Sequence, residues 1–482
     1  MTEKKYKPTI GLEIHAELAT KSKMFCGCPN NPGEVEPNTN VCPVCLAHPG
    51  VLPAINLEAV KSLLRVGLAL GGRVAEHSKF DRKSYFYPDL PKGYQISQYD
   101  LPLVKGGKLA GVELERVHLE EDTARLVHTQ EGNSLVDYNR AGVPLMELVT
   151  KPVIASADKA SEFSKELQTL LRYLGASDAD MEKGQMRVEA NISVSASRRK
   201  LGTKVELKNI NSFKAVRDAL MSEIERQAGL LGKGERVVQE TRGWNEDKKT
   251  SFSQRVKEEA DDYRYMPEPD LPPMDIAVGS QINLGELRRS LPELPWEKRK
   301  RFTREYGFKR GSAELERLID DRDEARFFEE FVSEAKTRRR GSKLIKAGIN
   351  YLDSDLIGIM RNEGLSWGTL KITPKNFAET MELVVGGMIS SATAKQVLRE
   401  SSITGVDPHQ IIEKQELAQI SDERIVLDVV GEVVKENEEA VGKYRAGKEN
   451  VLKFLVGQTM AKLRGRGNPE LVERLLRERL SR

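Results

Sequence analysis

The chain has 482 residues, 39% of them hydrophobic and 31% charged, and a net charge of only +3. That length exceeds one ordinary core and implies two or three domains, and the composition excludes a disordered chain. No apolar run reaches bilayer length and the start MTEKKYKPTI carries no apolar signal core, so a cytoplasmic protein with no membrane partner is expected.

The first element is TIGLEIHAEL. Ile10, Leu12, Ile14, Ala16 and Leu18 alternate with Glu13, His15 and Glu17, the period-two pattern of a half-buried strand. All four cysteines follow within FCGCPNNPGEVEPNTNVCPVC, as the pairs Cys26/Cys28 and Cys42/Cys45. The loop between them is rich in Pro, Asn and Gly and has no apolar periodicity. In a reducing compartment two close cysteine pairs point to tetrahedral Zn²⁺ rather than disulfides, and four protein ligands leave no open position for chemistry. The expected role is a structural clip for a loop without a core; the alternative is four free thiols.

NLEAVKSLLRVGLAL reads as an amphipathic helix. KFDRKSYFYPDLPKGYQISQYD then sets Lys79, Arg82, Lys83 and Lys92 among tyrosines and prolines, more like an ordered site wall than a solvated loop. VHLEED supplies His118, Glu120 and Glu121, and GVPLMELV places Glu147 inside an apolar stretch, where an unpartnered carboxylate is costly. Residues 157–174 predict a helix with Ser156 as N-cap, Gly175 as stop, and a stripe of Phe163, Leu167, Leu170, Leu171 and Leu174. RVEANISV and TKVELK are strands with one charged face, and SFKAVRDALMSEIERQ is a helix. Together they predict an α+β domain over 1–293, helices on one face of a mixed or antiparallel sheet and charged groups on the other.

Pro292 and Pro295 mark a break, and the pattern beyond it is helical, including EARFFEEFVSEAKTRRR and SSATAKQVLRE. GLSWG at 364–368 fits the nucleophile-elbow spacing but follows a helical run, and only His409 lies beyond position 128, so it carries little weight. Gly405 and Pro408 mark a second break, giving a helical domain over 294–405 and a small helical tail over 406–482. Residues 406–442 hold three basic and ten acidic groups, and residues 443–482 eleven basic and four acidic. The last helix has Asn468 as N-cap, Pro469 at its first position and a Leu471/Val472/Leu475/Leu476 stripe. Lys462, Arg464 and Arg466 sit between the last helices, where they suit RNA phosphates or simply solvent.

The residues leave the chemistry partly open. Glu13 and His15 share a strand face, and with His118, Glu120 and Glu121 of VHLEED and with Glu147 they offer a mostly oxygen ligand set that suits Mg²⁺ with nucleotide phosphates. The alternative is that each carboxylate pairs with its own Arg or Lys. Lys83, Arg140, Arg187, Lys204 and Lys208 are candidates to hold ATP phosphates. No G-x-x-x-x-G-K-[ST] occurs, so a P-loop is excluded and any ATP site is built on the sheet.

IGLEIHAEL, NTNVCPVCLAHPGVLP, KFDRKSYFYPDLPKGYQISQ, YNRAGVPLMELV, TKVELKNINSF, QETRGW and DDYRYMPEPDLPP, in that order, resemble the B-subunit family of the aspartyl/glutamyl-tRNA amidotransferases. YRAGKENVLKFLVGQTMAKLRGRGNPELV is similar to the small helical domain that ends members of that family. The resemblance covers nearly the whole chain. It implies a glutamine synthetase-like cradle over 1–293, a helical linker domain over 294–405, and a tRNA-binding tail over 406–482 using Lys448, Lys462, Arg464 and Arg466. It implies that ATP phosphorylates the side-chain carboxylate of Glu-tRNA(Gln) or Asp-tRNA(Asn). Ammonia from a glutaminase (amidase) partner, the A subunit, assembled with the small C subunit, then displaces the phosphate. The resemblance maps Mg²⁺ ligands onto Glu13, His15, Glu121 and Glu147, and leaves zinc a structural part. The other readings are a non-catalytic tRNA-binding scaffold and a free-standing ATP-dependent carboxylate–amine ligase.

Overall fold

The computed structural model describes residues 6–33, 35–197, 200–256, 263–276, 281–417, 423–463 and 465–481. The chain divides into two compact units, Met1–Lys298 and Arg299–Arg482.

In the first unit, ten strands among the described residues join in one sheet. Lys7–Glu17 lies inside it, antiparallel to Pro144–Thr150 on one side and Met186–Ser195 on the other. Val112–Glu121 pairs antiparallel beyond Pro144–Thr150, and Val205–Ile210 does so beyond Met186–Ser195. Glu240–Asn245 then joins in parallel, and Thr250–Val256 pairs back onto it, so the sheet is mixed. The overall class is α+β, as the alternating strands and amphipathic helices predict.

The alternation of the first strand decides what each face carries. Ile10, Leu12, Ile14 and Ala16 are buried in one continuous core with Leu63, Leu64, Phe163, Leu167, Leu170, Val216 and Leu220 from three helices. Those helices are Leu57–Ala69, Ala157–Tyr173 and Phe213–Gly232. Each begins where a polar side chain satisfies a free backbone N–H: Asn56 accepts from Glu58 and Ala59, Ser156 from Lys159, and Ser212 from Ala215. The 157–173 helix stops before Gly175, whose φ of +61° is left-handed. With the helices on the apolar face, the odd-numbered residues of the first strand are left on the other.

The second unit is helical, and among its described residues there is no strand. One apolar cluster gathers Phe302, Phe328, Phe331 and Phe377 with Leu315, Leu344 and Leu398. Another joins Val426, Val430, Leu455, Val472, Leu475 and Leu476 from Glu423–Glu436, Val451–Lys462 and Pro469–Leu480. The division expected at 405 falls between these clusters, while 299–482 forms one compact unit. Asp321 caps Arg322–Thr337, and Ser391–Thr404 ends on Gly405 at φ +79°. GLSWG follows Ile357–Asn362 as a turn, with Ser366 Oγ 3.2 Å from Thr369 Oγ1 and no preceding strand.

Candidate functional site

Register brings the polar residues of five strands together. His15 lies opposite Glu147 on one neighbour and opposite Arg187 on the other. Glu147 in turn lies opposite His118, Glu13 opposite Glu189, and Asn191 opposite Glu206. Directly opposed residues project from the same face, so these side chains meet in one open cavity of about 510 Å³. Lys83, Tyr85, Tyr263 and Tyr265 line its other side.

Two clusters of metal-ligating atoms lie in this cavity. In the first, one ligand atom each of His15, Glu120 and Glu147 lie within 4.8 Å of one another. His15 Nε2 is 3.4 Å and His118 Nε2 3.5 Å from Glu147 Oε2, and Arg116 Nη2 is 3.6 Å from Glu147 Oε1. Burial opposes ionisation of Glu147, but the charge of His118 and the hydrogen bond and charge of His15 hold its carboxyl well below the usual range. Burial likewise opposes a charge on His15, yet Glu147 raises it to about 9. Glu120 accepts from Gln95 Nε2 at 2.5 Å and Ser97 Oγ at 3.1 Å, which fixes its orientation. His118 Nδ1 is buried with no hydrogen-bond partner.

The second cluster is Glu13, Glu189 and Glu206, again with oxygens within 4.8 Å. Lys208 Nζ bridges two of them, 2.9 Å from Glu189 and 3.4 Å from Glu206. Burial, then the charges of Glu147 and Glu189, push Glu13 upward. Three carboxylates this close favour a hard cation, which relieves their repulsion through oxygen ligands. Both donor sets therefore fit Mg²⁺.

Glu13, His15 and Glu147 meet in this cavity, as do Lys83, Arg187, Lys204 and Lys208. Glu121 does not. Along Val112–Glu121 the cavity-facing positions are Arg116, His118 and Glu120, so Glu121 points the other way. It accepts from Lys92 Nζ at 2.7 Å and from the Ile96 N–H at 2.9 Å, and lines a separate cavity with Cys26, Cys45 and His48. Glu120 stands where Glu121 was expected, and the signal for it was the period of two shared with His118. Arg140 does not line the site: it pairs with Glu17 at 3.0 Å and with Asp122 at 2.6 Å. Asp122, also gripped by Arg187 through two 3.0 Å contacts, does line it. Glu189 and Glu206 were legible as charged strand residues, but not as partners of Glu13.

The four cysteine sulfurs also lie within 4.8 Å of one another. Cys42 Sγ and Cys45 Sγ are 3.9 Å apart, close to the ~3.8 Å edge of a tetrahedron with Zn–S bonds of ~2.3 Å. The Cys26 thiol, the Cys42 N–H and the Lys23 ammonium together hold Cys45 down to about 4. These features fit Zn²⁺.

In the tail, Lys448 is exposed. Lys462 is held by Glu432 at 3.0 Å and Glu436 at 2.6 Å, and Arg466 donates to the Glu416 carbonyl at 2.7 Å. Arg464 lies outside the described residues.

Residues 8–280 match the family model described as the GatB/GatE catalytic domain, and residues 326–480 match the one described as the GatB domain. Among curated relatives, a protein of Thermomicrobium roseum is 46% identical over 98% of this chain and 99% of its own. One of Thermoanaerobacter sp. is 44% identical over 99% of this chain and 100% of its own, and one of Persephonella marina is 44% identical over 98% and 99%. All three are named as the B subunit of an aspartyl/glutamyl-tRNA(Asn/Gln) amidotransferase.

Proposed function

We propose a reaction for the acid-lined cavity from the premise that this chain belongs to the B-subunit family of the aspartyl/glutamyl-tRNA(Asn/Gln) amidotransferases, and so serves in a multi-subunit tRNA-amidating enzyme. The cavity is where ATP phosphorylates the side-chain carboxylate of a misacylated Glu-tRNA(Gln) or Asp-tRNA(Asn). A carboxylate oxygen attacks the γ-phosphorus, the bond to the bridging oxygen breaks, and ADP leaves. Ammonia then attacks the acyl carbon, phosphate departs with the C–O bond pair, and the nitrogen loses a proton to give the amide. Activation is needed because an oxide is too poor a leaving group for ammonia to displace.

One observation carries this reading: carboxylates and an imidazole from separate strands converge as two ligand clusters in a cavity that is also lined by Lys83, Arg187, Lys204 and Lys208. His15, Glu120 and Glu147 would hold one Mg²⁺, and Glu13, Glu189 and Glu206 a second. When bound, Mg²⁺ offsets the negative charge of the transferring phosphoryl group. Arg187 and Lys208, fixed by Asp122 and by Glu189, present cations to the polyphosphate. Lys83, whose ammonium lies 4.9 Å over the Tyr263 ring, does the same from the opposite wall. Gln95 and Ser97 hold Glu120 in place.

The four cysteines hold a structural Zn²⁺ that closes the 26–45 loop. Ammonia reaches the cavity from a separate glutaminase partner, which assembles with this chain and a small third protein. The helical tail holds tRNA through Lys448 and its neighbours. In the purified complex, Glu147→Gln is expected to abolish ADP formation and amidation with misacylated tRNA while leaving tRNA affinity within about twofold. ADP release at the wild-type rate would refute the phosphorylation site. Activity that survives deletion of 406–482 would instead favour a free-standing ligase.

A further inference from the structure

Lys23 opens the cysteine loop, and its side chain is fully buried. Its ammonium donates to the Asn40 carbonyl at 2.9 Å and the Tyr138 carbonyl at 3.4 Å, and stands 3.8 Å from Cys45 Sγ. None of these groups is a carboxylate. A buried ammonium met only by neutral carbonyls is strongly unfavourable. Four thiolates around one Zn²⁺, by contrast, leave a net charge of about −2. That centre is the anionic partner within the ammonium's reach.

We propose that Lys23 is the counter-cation of the four-cysteine metal centre and ties it to the turn that enters the Glu147 strand. The surrounding contacts support the tie. Asn40 N–H donates to Asn139 Oδ1 at 2.7 Å, and Met24 N–H donates to the Gly142 carbonyl at 2.7 Å. Lys23 N–H donates to the Cys28 carbonyl at 2.9 Å, so the same residue grips the first cysteine pair through its backbone and the second through its side chain. The Tyr138–Gly142 turn runs directly into Pro144–Thr150, which carries Glu147. Lys23 is thus a positioning residue: it touches no substrate and acts through the metal loop. Among the described residues, its side-chain partners Asn40, Tyr138 and Cys45 all lie outside the lining of the acid-lined cavity, which separates its role from catalysis.

The inference rests on reading the cluster as a zinc site, and elemental analysis of the wild-type chain tests that reading alone, with one zinc per chain expected. Full-length wild type and Lys23→Met are then compared by zinc competition against a chromophoric chelator and by thermal unfolding with and without zinc. Loss of the ammonium is expected to weaken zinc binding about 10- to 100-fold, the usual effect of removing an outer partner of a metal ligand. The metal-free variant should have a Tm no lower than metal-free wild type, because the ammonium then has no anionic centre to offset. Lys23→Gln keeps N–H donors for the two carbonyls without the charge and should lose zinc affinity similarly. Unchanged zinc affinity in a zinc-replete protein, or an equal drop in Tm with and without zinc, overturns the role of Lys23 only. Failure of both variants to fold at saturating zinc also overturns it, since the fold would then need Lys23 irrespective of the metal. A wild-type chain without zinc overturns the zinc reading and the proposal together.

Discussion

The carboxylates of Glu120 and Glu121 leave the end of one strand in opposite directions, and their surroundings differ accordingly. Glu120 lies beside His118 at 3.1 Å and within a cluster with His15 and Glu147. Glu121 is neutralised by Lys92 and held by a backbone N–H. Glu120→Gln removes a charged oxygen ligand, so the titration heat of Mn²⁺ or Mg²⁺ binding to the full chain should shrink and the affinity fall at least tenfold. Glu121→Gln should leave that titration unchanged and instead lower stability by about 1–3 kcal/mol, the cost of stranding a mostly buried Lys92. The reverse pattern would show that the strand phase has been misassigned. Sequence alone contains this distinction, because His118 and Glu120 are two apart and Glu121 is not in phase with them. The family resemblance pointed instead to the neighbouring carboxylate, one residue out of phase. The meeting of Glu13 with Glu189 and Glu206 was not legible in the same way. It depends on strand register and on which strands are neighbours, and alternation within one strand specifies neither.

Elements at the sheet edge are joined by charge as well as by apolar packing. Phe213–Gly232 buries Glu223 completely, and that carboxylate accepts from Arg226 at 2.7 and 2.8 Å and from Gln227 at 2.8 Å. Gln227 Oε1 in turn accepts the Val194 N–H at 3.0 Å, fixing the helix to Met186–Ser195. Arg242, on Glu240–Asn245, donates to Glu240 at 2.6 Å. Burial opposes ionisation of Glu240, but a hydrogen bond from Ser253 and the Arg242 and Arg226 guanidiniums hold its carboxyl below the ordinary range. A lowered folded value means that Glu240 contributes stability fully above its unfolded value of about 4.3 and loses it as pH falls through the lower folded value. Glu240→Gln should therefore flatten the acid side of the stability curve, measured by denaturant unfolding between pH 6 and pH 3 at roughly half-unit steps. A wild-type slope in the variant would remove Glu240 from the network. The helix itself was plain from SFKAVRDALMSEIERQ, but its periodicity shows an apolar stripe, not a buried glutamate. Glu223 is tolerated there because its partners are Arg226 and Gln227 on its own next turn and Arg242, whose Nε stands 3.7 Å away on Glu240–Asn245.

At the scale of the whole molecule, the charge segregation of the last residues takes on a different meaning once the helices are packed. The acidic stretch 406–442 and the basic stretch 443–482 partly neutralise each other through Lys462 with Glu432 and Glu436, and Arg474 with Glu423. A one-dimensional charge count cannot show this, because Lys462 and Glu432 are brought together by the contact of Glu423–Glu436 with Val451–Lys462. Exposed pairs of this kind contribute little, so an RNA phosphate can compete for the lysine, but it must break those pairs to do so. Lys448 makes no such pair among the described residues: it is exposed beside the turn that precedes Val451–Lys462. The two lysines should therefore respond differently when tRNA affinity is measured across salt concentrations. Lys448→Ala should weaken binding about equally for every tRNA and reduce the slope of log K against log[salt] by about 1, the signature of one lost phosphate contact. Lys462→Ala should change the slope by less, since the ion pairs it already makes are released as the phosphate contact forms. Equal slope changes would mean that Lys462 leaves Glu432 and Glu436 at no cost, and no change at Lys448 would place the RNA on another surface of the chain.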